Sequence, residues 1–139
     1  MLFYLYVLAV VYLLFLSESL GRGSGLEEAR YNLVPLREIR RFLKYRAQLG
    51  TAAVYANLAG NVLLFIPFGA ILPVLHRNLR SLLKIMLLSA LLSAVVETVQ
   101  LLTRTGACDI DDILLNTLGG VLGYFVFAVC NVIRRKKYG

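Results

Sequence analysis

From Val54 to Leu75 the chain runs without one charged side chain, and blocks at about residues 81–103 and 110–133 are nearly as apolar. Such runs constrain the fold more than any motif, because about 20 apolar residues in helical form span the hydrocarbon of a bilayer. A soluble domain of 139 residues would instead repeat apolar positions with a helical or strand period around one core. Here 59% of the residues are hydrophobic and 17% charged, with a mean hydropathy of +0.73. Met1 to Leu16 forms a fourth apolar block, with Tyr4, Tyr6 and Tyr12 as amphipathic anchors. A secretory signal is the alternative for this block, but a basic leader and a small-residue cleavage site are both missing. The expectation is an all-α integral membrane protein: one domain over residues 1–139, a four-transmembrane-helix bundle with spans at about 1–17, 54–75, 81–103 and 110–133.

Residues 17–53 make the one long polar segment. It opens on the glycine-rich stretch Gly21 to Gly25 and continues into a basic amphipathic helix. Leu36, Ile39, Phe42 and Leu43 fall on one side of that helix, and Arg37, Arg40, Arg41 and Lys44 on the other. The pattern suits a helix lying on an anionic lipid surface, or a solvated helix packed on the bundle. The formal net charge of +7 is concentrated at residues 22–46, 77–84 and 134–137, which read as membrane anchors and topology signals. Nucleic acid is not an expected partner, since no soluble domain remains to bind it. Cys108 and Cys130 lie about 33 Å apart if helical, so they cannot pair within one helix, and they lack zinc-ligand spacing. His76 reads as a loop residue beside Arg77 and Arg80 rather than as a ligand.

Small residues mark where helices can approach closely. Gly60 is expected to admit a neighbour, Ser89, Ala90, Ser93 and Ala94 give small-residue pairs at i, i+4, and Gly119 and Gly123 form a G-x-x-x-G pair. Pro67 removes a backbone donor inside the second span, where a kink is expected.

Against this background a few polar residues stand out. Glu97, Gln100 and Arg104 are spaced i, i+3, i+7, on one face of the third span. Asp109, Asp112 and Asn116 repeat that spacing at the start of the fourth. A carboxylate within a bilayer costs roughly 2.5–3.5 kcal/mol on insertion scales, so it persists with a partner or a task. Asn57 and Asn61 open the second span, and an up-and-down bundle brings all three places to one membrane face, together with Arg30 and Asn32. Structural roles compete at each position. Asp109 fits a helix N-cap, with Asp111 and Asp112 in the dipole-favoured first turn, and Asp111 is expected to matter least. Glu97 can pair with Arg104, and the asparagines can bridge helices.

Four stretches in register, Tyr31 to Ile39 with the preceding Arg30, Asn57 to Pro73, Val96 to Leu102 and Asp109 to Tyr124, resemble the VanZ-like family of small bacterial integral membrane proteins. The resemblance implies a cell-envelope protein of the multi-pass bacterial membrane, with its namesake associated with resistance to the glycopeptide teicoplanin. Its polar motif positions correspond here to Arg30, Asn32, Asn57, Asn61, Glu97, Gln100, Asp109, Asp112 and Asn116, with Arg104 placed more variably. Two function classes follow. In one, the pocket binds the polar head group of a membrane lipid or lipid-linked envelope precursor. In the other, it is an enzyme on such lipids: Glu97 and Asp112 are the catalytic candidates, Glu97 as general acid or base, and Asp109 and Asp112 hold a divalent metal such as Mg²⁺. No nucleophile stands out, and a transporter ranks third for want of an inverted repeat. Orientation is close to balanced: seven Lys and Arg (Arg77, Arg80, Lys84 and the four from Arg134) on the side of the termini, eight on the other. The short loop and the abutting terminal cluster favour termini inside and pocket outside.

Overall fold

The computed structural model describes residues 2–21, 31–49, 51–103 and 108–138. Its elements in order are α1 (Leu2–Gly21), β1 (Tyr31–Asn32), α2 (Arg37–Leu49), α3 (Thr51–Leu75), a 3-10 turn at Arg77–Leu79, α4 (Leu82–Thr103), β2 (Cys108–Asp109) and α5 (Ile110–Tyr138). The chain is nearly all helical, and three helices are long and apolar enough to cross a membrane, with 58–75, 82–103 and 110–137 as the spans. In α1 the apolar stretch Phe3–Leu14 is shorter.

Leu63, Leu87, Leu91, Leu102, Phe125 and Val129 are all more than half exposed, spread over the length of α3, α4 and α5. In water such a belt would cost free energy at every turn; in lipid it is the face that belongs outside. The chain is thus a membrane protein whose interior is small: Val10, Leu14, Phe65, Phe68, Leu72, Ile85 and Val96 make its buried apolar cluster.

Glycine sets the closest helix approach. A Cβ on Gly119 would lie 2.1 Å from the Val62 carbonyl oxygen, and one on Gly123 would lie 2.0 Å from that of Ile66. The G-x-x-x-G pair therefore presses α5 directly on the backbone of α3, one turn to one turn. Gly60 does not act in this way: no described atom lies within 4 Å of where its Cβ would be. The close approach on α3 falls instead at Gly69, against the Gly120 carbonyl. On α4, Ser89 and Ser93 are the fully buried small residues, and Ser89 abuts Gly120.

Tyr6 also departs from expectation. Tyr4 and Tyr12 are exposed, as anchors would be, but the Tyr6 hydroxyl turns inward to α3. It donates to the Leu64 carbonyl and accepts from the Phe68 N–H at 3.1 Å, thereby spanning one i, i+4 step of the helix beside Pro67. A proline ring disturbs the ladder of the turn before it, and an inserted hydroxyl satisfies the groups so loosened. Phe3 stacks on Phe68 at 6.0 Å, while the Leu14 carbonyl meets Gln100 of α4. Helix α1 thus runs from the end where α3 finishes toward the end where α4 finishes.

Candidate functional site

The polar groups gather where α3 begins, α4 ends and α5 starts. Two short strands fasten this end: β1 pairs with β2 in parallel, with Tyr31 opposite Cys108 and Asn32 opposite Asp109. The pairing fixes Asn32 so that its Nδ2 donates to Asp109 Oδ1 at 3.1 Å, while its Oδ1 accepts from the Val34 N–H at 3.3 Å and turns the chain before Pro35. Asp109 Oδ1 also accepts from the Asp111 N–H at 2.9 Å, which is the N-cap bond of α5. From α4, Glu97 Oε2 accepts the Asp109 N–H at 2.9 Å. Glu97 is 4% exposed, so its burial is compensated partly by this backbone donor.

Asp111 has the most consequential position. Its side chain is 1% exposed and crosses to α2, accepting from the Leu36 N–H with Oδ1 and from the Ile39 N–H with Oδ2 at 3.1 Å. Those are the two amides that a capping box satisfies from within one helix; here a single carboxylate on another helix satisfies both. Leu36 holds a left-handed backbone (φ 63°), which costs an L-residue with a Cβ about 1–2 kcal/mol, and the Asp111 bonds offset it. The first-turn reading of Asp111 therefore needs an addition: its carboxylate also caps α2. Capping of this kind joins distant elements, and its only trace in the sequence is a carboxylate in a first turn.

Deeper in, Asn61 Nδ2 donates to Asp112 Oδ1 at 2.7 Å, tying α3 to α5. One turn further along α5, Asn116 Nδ2 donates to Ser93 Oγ at 2.8 Å. Ser89, Ser93 and Glu97 follow each other at i, i+4 on α4 and make a buried polar seam facing α5. Gln100 points away from this seam, its Nε2 donating to the Leu14 carbonyl at 3.3 Å. Asn116 Oδ1 and Gln100 Oε1, both on residues 1% exposed, accept from no donor among the described residues.

The structure thus brings together Asn32, Asn61, Glu97, Asp109, Asp112 and Asn116, with Gln100 at the edge toward α1. Asn57 lies on α3, its side chain outside the described residues, as are Arg30 and Arg104 altogether. Three partners were not among the sequence candidates: Asp111, Ser93 and Arg41. Arg41 on α2 lies near enough for its charge to act on Asp109. Burial pushes the Asp109 carboxyl above the usual carboxylate range and the Asp111 charge adds to this, while the Asp111 N–H, the Asn32 amide and Arg41 pull it down. Burial likewise raises the Cys108 thiol, with Glu97 and Asp109 adding repulsion, which leaves it a poor nucleophile. Among the described residues no three His, Cys, Asp or Glu are grouped to hold a metal ion, and Asp109 and Asp112, the expected Mg²⁺ pair, are each bonded to an asparagine amide. The arrangement suits recognition of a group with hydrogen-bond donors: several carboxylates and two amide oxygens that accept from no described donor, with a cation at the rim.

Protein VanZ of Enterococcus faecium is 34% identical over 83 residues, which cover 60% of this chain and 51% of that protein. The match therefore spans about half the length of that relative. No solved structure matches. The family model described as VanZ/LLP1 matches residues 2–131, nearly the whole chain, and the chain belongs to the VanZ/LLP1 family.

Proposed function

We propose that this protein is an accessory factor of the bacterial cell envelope whose polar cluster holds the head group of a membrane lipid or lipid-linked envelope precursor. The observation that carries the reading is the pair of buried amide oxygens, Asn116 Oδ1 within the polar cluster and Gln100 Oε1 at its edge toward α1, left without donors among the described residues. A buried acceptor without a donor costs about 1–3 kcal/mol, and a hydroxyl- or ammonium-bearing head group would recover it. In this reading α1 crosses the membrane as the fourth span and the basic α2 rests on the anionic surface at the cluster's side. The termini are inside and the cluster is at the outer leaflet, following the short basic loop and the terminal Arg134 to Lys137.

The family resemblance connects such a site to glycopeptide tolerance. Teicoplanin carries an acyl chain that enters lipid and vancomycin does not, so a protein acting at the outer head groups affects the lipidated drug selectively. Expression in a susceptible Gram-positive host raises tolerance to teicoplanin more than to vancomycin. Glu97→Ala and Asp112→Ala, each made at equal membrane level, lose that difference. Removing a charge from an apolar helix eases insertion, by about 2.5–3.5 kcal/mol at the bilayer centre, so these variants still reach the membrane. Equal shifts for both drugs would sink the head-group mechanism, and full tolerance in Glu97→Ala would remove the cluster from it.

A further inference from the structure

The opposite end of the bundle carries a second feature that the polar cluster does not explain. Between the last turns of α3 and α5 lies a cleft of about 270 Å³. Its lining is apolar at Val74, Val126 and Phe127, and polar at Arg80, Asn131 and Arg134. Val126 and Arg134 are eight residues apart on one helix, so the change from apolar to cationic occurs over about 12 Å along the axis. That is the profile of an amphiphile standing upright in one leaflet. Arg80 is held in place from two sides: its Nε donates to the Pro73 carbonyl at 3.0 Å, and its guanidinium lies 5.6 Å from the centre of the Phe127 ring. These contacts leave both terminal amino groups of the fork without a partner among the described residues, and a planar fork of that kind suits phosphate oxygens. Arg134 lines the same cleft and is exposed, its Nη2 touching Asn131 Oδ1 at 3.3 Å.

The wider charge distribution points the same way. Residues 62–92 and 117–139 hold seven Lys and Arg (Arg77, Arg80, Lys84, Arg134, Arg135, Lys136 and Lys137) and none of the chain's eight Asp and Glu. The chain's whole formal net charge of +7 therefore equals the charge of this end. Neither stretch contains an Asp or Glu side chain that could neutralise Arg80 and Arg134 from within it.

We infer that this cleft is a binding site for an anionic glycerophospholipid, with the phosphodiester between Arg80 and Arg134 and an acyl chain along Val74, Val126 and Phe127. A free phosphate would share the head-group chemistry but gain nothing from the apolar lining. The lipid ties the ends of α3 and α5 together at the leaflet opposite the polar cluster.

Cys130 lines the cleft and is exposed, so it reports occupancy. The full chain in an uncharged detergent is treated with a neutral maleimide, and alkylation at each cysteine is followed by peptide mass spectrometry. Phosphatidylglycerol, phosphatidylcholine with the same acyl chains and inorganic phosphate are titrated in separate arms, with added glutathione as internal control for the reagent. Phosphatidylglycerol is expected to slow Cys130 and leave glutathione unchanged. Arg80→Gln and Arg134→Gln should each weaken that protection about fivefold, the scale of one cation near an anionic lipid, whereas Arg135→Gln, the same charge loss outside the cleft, leaves it nearly unchanged. Arg134 is exposed, so its variant keeps the test valid if Arg80→Gln disturbs the fold. Equal protection by phosphatidylcholine, equal protection by phosphate, no protection at all, or equal weakening by Arg135→Gln would each overturn the assignment.

Discussion

Where α3 begins and α4 finishes, carboxylates are buried against backbone N–H groups and asparagine amides; where α3 finishes and α5 runs out, arginines line an open cleft with no Asp or Glu among its lining residues. The two ends belong to the same three helices and meet the same kind of interface, yet they handle charge in opposite ways. A buried carboxylate is tolerable only with donors in fixed places, so the acidic end is built from cross-element bonds: β1 to β2, α2 to Asp111, α3 to Asp112 and α4 to β2. An arginine has a long stem that lies on apolar surface while its head reaches water or phosphate, so the basic end needs no such network. The acidic end is therefore specified by geometry and the basic end by composition. Substitutions should act locally and cooperatively at the first, and additively at the second.

The largest structural effect that would sharpen this contrast is expected from Asp111→Ala. It removes two charge-assisted bonds at the start of α2 and leaves Leu36 in its left-handed conformation unsupported, a loss of about 3 kcal/mol. Hydrogen exchange at the Leu36 and Ile39 amides should quicken about a hundredfold, with Cys130 alkylation at the far end unchanged. Unaltered exchange at those amides would mean that α2 is held by something other than Asp111.

The contrast between the ends also explains what could be read from the chain alone. Helices α3, α4 and α5 start within three residues of the apolar blocks that announced them, because a long uncharged run offers the backbone few alternatives to a helix in lipid. Helix α5 continues past its block through Arg134 to Tyr138, where cations suit a helix C-terminus. The gathering of Asn61, Glu97, Asp109 and Asp112 at one end was legible from depth alone, since residues at matching ends of adjacent helices must share a face of the membrane. The pairing of β1 with β2 was not, because two-residue strands carry no periodicity. Nor was the inward turn of Tyr6, which depends on the loosened ladder beside Pro67. The cation cluster at 77–84 was visible as a topology signal, but its cleft arises only when α3 and α5 come together.

A smaller effect serves as the neutral control between the two ends. Tyr6→Phe removes the hydroxyl that spans Leu64 and Phe68 without touching either site, and should lower stability by about 1–2 kcal/mol, measured as thermal unfolding in detergent. Neither the Leu36 amide exchange nor the Cys130 protection should change selectively. If one of them did, the ends would be coupled through α3 and their comparison as independent sites would fail.

The smallest expected effect is the pH response of Asp109. Its carboxyl is raised in the folded protein, so the folded state binds a proton more readily than the unfolded chain does. Stability therefore falls as pH rises from the ordinary aspartate range through the raised value; the penalty is full above that window and absent below it. Asp109→Asn should flatten this part of the unfolding profile, and an unchanged slope would assign the response to another group.

Native mass spectrometry of the protein extracted from Gram-positive membranes tests most directly whether the acidic end holds a head group. Wild type should retain a polar-headed lipid that Asp112→Asn loses and Arg134→Gln keeps, and an anionic phospholipid with the reverse dependence. The same bound species in wild type and Asp112→Asn would contradict a head-group site at the polar cluster and leave that end a purely structural clasp.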